Sequence, residues 1–159
     1  MPQPDADAAE SSRRLAALIA DEIEQAGGWI SFARYMELAL YAPGLGYYSG
    51  GARKFGAAGD FVTAPELSPL FAQTLAAQVE PILAASAPRI VEAGAGSGAL
   101  AVGLLLELER RGTLPERYDI LELSGELRVR QQEAVARGVP HLADRVAWLD
   151  ALPTHGRTP

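Results

Sequence analysis

The sequence predicts an α/β protein: a Rossmann-like, incomplete parallel sheet preceded by an N-terminal helical region. Three observations predict it. Residues 89–100, RIVEAGAGSGAL, lead from a short apolar run, Ile90 and Val91, through the alternating Gly94, Gly96 and Gly98 into an apolar helix. Two further strand-type runs, residues 118–123 and 145–149, alternate with helix-type segments, the pattern that builds a parallel sheet. Each of the three runs ends on an acid, Glu92, Glu122 or Asp150, at the sheet edge where such folds hold nucleotides. The expected division is residues 1–86, helices and loop, and residues 87–159, the first part of the sheet domain.

Each element has its own signal. Leu15, Leu18, Ile19 and Ile23 recur at helical spacing, and Gly27 and Gly28 end that helix. Ser31 is the expected N-cap of a second helix, through Phe32, Tyr35, Met36, Leu38 and Leu40, whose aromatics are expected in the core. Residues 41–66 are glycine-rich with Tyr47, Tyr48, Phe55 and Phe61, and read as an ordered covering loop. Within it, Gly59, Asp60 and Phe61 offer a carboxylate and a ring on a hinge, while Thr63 and Glu66 have capping-box spacing.

A third helix begins at Pro65 or Pro69, and the four-residue spacing forces one proline into a kink or a separate first turn. Pro81 is expected to kink or end its far side. Residues 100–108 predict a helix buried on most faces, closed by Arg110, Arg111 and Gly112. Ser124 is the expected cap of a helix over residues 126–137.

Composition narrows the function. A net charge of −6 over 159 residues argues against a surface built for nucleic acid. With no cysteine and two histidines, His141 and His155, no disulfide, thiol nucleophile or metal cluster is expected. No apolar run is long enough to span a membrane, and the first residues lack a secretory or mitochondrial leader pattern. The expectation is a soluble, cytoplasmic protein.

The glycine stretch admits two nucleotide readings. Gly94, Gly96 and Ala99 satisfy the dinucleotide spacing G-x-G-x-x-G/A, which implies an NAD-dependent oxidoreductase. Glu92 followed by G-x-G-x-G resembles instead the first motif of class I methyltransferases that use S-adenosylmethionine. A carboxylate beside a sulfonium and an ammonium is attracted, whereas beside a pyrophosphate it is repelled. A ligand-free strand-to-helix turn is the remaining alternative. Glu122, at the end of the second strand, is placed to accept from ribose hydroxyls under either nucleotide reading.

Three blocks in one order, ISFARYMELALYAPGLGYYS, GDFVTAPELSPLF and VEAGAGSGAL with YDILELSGELRVRQQ, resemble the MidA family of class I methyltransferases. That family includes a mitochondrial assembly factor of respiratory complex I. The resemblance implies that Glu92, Gly94, Gly96 and Gly98 bind S-adenosylmethionine, that Glu122 holds the ribose, and that Gly59, Asp60, Phe61, Thr63 and Glu66 line the donor pocket. Asp150 is the expected adenine contact. A protein arginine acceptor needs a carboxylate to orient it and help its proton leave, and Asp60 and Glu66 are the candidates. Family members continue through later strands, so the resemblance covers their N-terminal part, and either a C-terminal half or a homo-oligomer would close the open sheet edge. A non-catalytic assembly factor that retains the fold is the alternative outside enzymes.

Overall fold

The structure, a computed structural model, describes residues 6–50 and 62–153. It falls into two compact units, Met1–Ala52 and Arg53–Pro159. Among the described residues no helix is long and apolar enough to cross a membrane.

The first unit pairs helix α1, Ala6–Gln25, with helix α2, Phe32–Tyr41. Gly27 and Gly28, both at positive φ, turn the chain after α1. The Ser31 hydroxyl then caps α2 by accepting from the Arg34 N–H at 3.2 Å. Arg34 also reaches back to Glu22 of α1 at 2.6 Å, a half-exposed ion pair that fixes the hairpin's geometry more than its stability. Ile19 and Leu38 are the buried residues of the two helices. The α2 aromatics are not core, contrary to expectation: Phe32 is 74% exposed and Tyr35 42%. They stack on each other at 6.0 Å, so each ring shields part of its partner's apolar face without entering the interior.

The second unit runs α3 (Ala64–Leu67), α4 (Pro69–Ala85), β1 (Arg89–Ala93), α5 (Ala99–Arg111), β2 (Arg117–Leu121), α6 (Gly125–Gly138), a 3-10 turn (Pro140–Arg145) and β3 (Val146–Leu149). Each of the two prolines opens its own helix. Thr63 and Glu66 form the capping box of α3, and Ser68 caps α4 by accepting from Leu70 N–H. Helix α4 continues past Pro81 to Ala85.

The strands lie parallel in the order β1-β2-β3. Register pairs Ile90 with Tyr118 and Glu92 with Ile120, and sets Tyr118 and Ile120 beside Val146 and Trp148. Partners in a parallel ladder share a face, so this set points one way. Tyr118, Ile120 and Val146 pack there with Ala76 and Leu83 of α4, Leu104, Leu105 and Leu108 of α5, and Val135 of α6. On the opposite face Val91 is 43% exposed, so the apolar run of β1 is covered on one side only. That face carries a charge cluster instead: the fully buried Asp119 accepts from Arg89 and, at 2.7 Å, from Arg117. The 3-10 turn before β3 was not foreseen.

Candidate active site

The glycine turn is built by geometry that only glycine tolerates. Gly94, Gly96 and Gly98 have φ of +69°, +56° and +83°, all left-handed. The Gly94 N–H donates to the Leu121 carbonyl at 2.9 Å, fastening the turn to the end of β2. Gly98 is buried as the N-cap of α5, and a Cβ there would stand 3.3 Å from both the Gln131 Cα and the Ala134 Cβ. Close seating of α6 on the turn therefore requires this third glycine whether or not it meets a ligand.

The strand acids are held differently. Glu92 Oε2 accepts from the Tyr118 hydroxyl at 2.8 Å. Burial raises the Glu92 carboxyl above its ordinary range, and the Tyr118 hydrogen bond offsets only part of that. Burial, with the neighbouring Glu92 carboxylate, also pushes the Tyr118 hydroxyl upward, so it stays a donor. Glu122 lies just beyond β2 and is 4% exposed. Its Oε1 accepts from Ser124 N–H and its Oε2 from Gln131 Nε2, each at 2.9 Å. Asp150 follows β3 with an 88% exposed side chain, gripped by Arg128 at 2.6 Å.

Two side chains that sequence reasoning missed tie these acids together. Arg128 Nη2 also donates to the Glu122 carbonyl at 3.0 Å and the Leu149 carbonyl at 3.3 Å, linking the carboxyl ends of β2 and β3. Gln131 is fully buried, and its Nε2 donates both to Glu122 and, at 3.1 Å, to the Gly96 carbonyl. The available signal was spacing: Gln131 falls between Leu127 and Val135 at steps of four, on the buried face of α6.

The other expected residues fall in two groups. Gly59, Asp60 and Phe61 lie outside the described residues. Thr63 and Glu66 are engaged with each other, Glu66 Oε2 accepting from Thr63 N–H at 3.3 Å and from Thr63 Oγ1 at 3.4 Å. Glu66 also borders an open groove of about 560 Å³ with Ser97 and Arg137, whose walls do not include Glu92 or Glu122.

The donor set can be tested against the two nucleotide chemistries. Carboxylates from two neighbouring strands flank the glycine turn, and the nearby Arg128 is already spent on carbonyls and Asp150. Buried acceptors suit ribose hydroxyls and a cationic sulfur nucleoside; a pyrophosphate would find uncompensated like charge. The residues fit S-adenosylmethionine.

A parallel sheet with this turn and this acid has the Rossmann-like fold of class I methyltransferases. Residues 70–158, more than half of the chain, match the family described as "Putative S-adenosyl-L-methionine-dependent methyltransferase", and the chain belongs to that family. It is similar to a COG1565 superfamily protein from Burkholderia thailandensis bound to S-adenosyl-homocysteine, with TM-score 0.84 and 57% identity over 96% of this chain and 41% of that one. Among curated proteins it resembles "Protein arginine methyltransferase NDUFAF7, mitochondrial" of Danio rerio, 37% identical over 69% of this chain and 28% of that protein. The Caenorhabditis elegans homolog of the same name is 31% identical over 79% of this chain and 31% of that protein. The chain thus spans less than half the length of the relatives it matches.

Proposed function

We propose that this chain carries the donor-binding part of an S-adenosylmethionine-dependent methyltransferase that acts on a protein arginine. The observation that carries the reading is the buried Glu122 carboxylate at the end of β2, one Gln131 nitrogen away from the Gly96 carbonyl of the glycine turn. Bound S-adenosylmethionine would supply an activated methyl group for in-line transfer to the acceptor nitrogen. The chain's contribution is then placement, since holding reactants aligned is the largest lever on an already activated donor. Glu122 would accept the ribose hydroxyls, the Gly94–Gly96 backbone would approach the donor, Glu92 would face its positive charge, and Asp150 would meet the adenine edge. Gly98 serves the same site by seating α6.

The arginine acceptor is supported by the naming of the curated relatives as protein arginine methyltransferases. An arginine must be oriented and relieved of a proton during attack. Asp60 is the residue proposed for that role. Glu66, its alternative, has its carboxylate turned into the cap of α3.

Titration of the chain with S-adenosylhomocysteine and with NAD, followed by calorimetry, tests the donor reading. Binding of the former alone, weakened by about tenfold or more in Glu122→Ala, is expected, because hydrogen bonds to a charged acceptor are lost. Equal affinity in wild type and variant would remove Glu122 from the site.

A further inference from the structure

Gln131 touches three groups of fixed hydrogen-bonding sense. Glu122 Oε2 and the Gly96 carbonyl only accept, and both face Nε2. The Trp148 indole N–H only donates, and it reaches Gln131 Oε1 at 2.9 Å. The amide therefore has one satisfied orientation; a flip would set two acceptors against an oxygen and a donor against an amino group. Burial makes that flip expensive, since mispaired groups at a fully buried amide are shut off from solvent. Trp148 stands in β3 in register with Ile120, and Gln131 stands in α6, so the network joins β3, α6, the end of β2 and the glycine turn.

From this geometry we infer that Gln131 is a positioning residue of the donor site, a clamp that fixes the Glu122 carboxylate relative to the glycine turn and is itself oriented by Trp148. The inference rests on the donor reading above and extends it to residues that need not touch the ligand. An unclamped Glu122 can still accept hydrogen bonds, but it must be ordered on binding, and that cost falls on the affinity for ribose hydroxyls. Gln131 thus acts on one part of the ligand rather than on the fold alone.

A cycle between residue and ligand tests this. Affinities of S-adenosylhomocysteine and of its analogue lacking both ribose hydroxyls are measured for wild type and for Gln131→Met, which keeps the length and removes the polar pairing. In wild type the hydroxyls are expected to improve affinity by about tenfold or more. In Gln131→Met that ratio should fall to about threefold or less, while the analogue binds nearly as before. Trp148→Phe removes only the group that orients the amide, with a milder packing change, and should lower the ratio part of the way. Emission of Trp148 in a Trp29→Phe background reports separately on the clamp, and it should shift in Gln131→Met without ligand. A ratio unchanged in both variants overturns the clamp. If wild type itself does not distinguish the two ligands, the ribose role of Glu122 fails and the clamp falls with it. A ratio preserved while both affinities drop equally assigns Gln131 to folding only and overturns the inference.

Discussion

Glu92 shows what burying a carboxyl costs. Burial raises its carboxyl, so the folded chain holds this proton to higher pH than the unfolded chain does. The linked stability is fully present below the unfolded-state value and is lost as pH rises through the raised folded-state value. Glu92→Gln cannot titrate and keeps an acceptor for the Tyr118 hydroxyl. Thermal unfolding of ligand-free protein should therefore show the variant gaining on wild type as pH rises to neutrality, with the difference vanishing at acid pH. On the proposed donor reading, in which Glu92 faces the sulfonium, calorimetry of the same variant should show weaker binding of S-adenosylmethionine. The positions of Glu92, Glu122 and Asp150 were legible in the sequence because an acid ending an apolar run stands out. Gln131 was not, because a glutamine amid RQQEA looks solvated until its four-residue spacing from Leu127 and Val135 is noticed. Phe32 misled in the opposite way: it sits on a helical stripe yet faces solvent against Tyr35.

Among the elements, α5 makes the two clearest demands. At its start, Gly98 combines a φ of +83° with 3.3 Å approaches from Gln131 and Ala134. Gly98→Ala should cost about 1–3 kcal/mol in denaturant unfolding, the range for left-handed strain at a non-glycine residue. No cost would mean that residue 98 does not hold the left-handed turn against α6. At its end, Glu107 is only 6% exposed and pairs with Arg110 at 2.6 Å and Arg111 at 2.8 Å. The Arg110 and Arg111 hydrogen bonds hold its carboxyl down at about 2, against a desolvation effect that works the other way. Because that value is depressed, the stabilisation is present above the ordinary carboxylate range and is lost as pH falls toward about 2. Acid unfolding should accordingly begin at higher pH in Glu107→Gln; an identical acid limb would show the pair to be idle. Helix existence was readable from caps and glycines: Ser31 and Ser124 each accept from a helix N–H as their positions predict, whereas the Ser68 cap of α4 was not foreseen. Strand burial was not, because Val91 is as apolar as Ile90 and only the side on which α4, α5 and α6 pack separates them.

Across the whole molecule, the parallel sheet and the placement of the glycine turn and acids at one sheet edge followed from the alternation of strand and helix signals, while the order β1-β2-β3 is read from the structure. What the chain could not reveal by periodicity was the polar wiring behind that edge, since Arg128 and Gln131 act over separations of 21 and 35 residues. Among the described residues β1 pairs only with β2, and the matched relatives are more than twice as long as this chain. Donor binding is therefore the property to test on the chain itself. The direct measurement is calorimetric titration of the chain with S-adenosylhomocysteine, in parallel with NAD. Saturable binding of S-adenosylhomocysteine that weakens by about tenfold or more in Glu122→Ala, with no heat from NAD, is the predicted result. Binding of NAD instead, or S-adenosylhomocysteine binding indifferent to Glu122, would contradict the account.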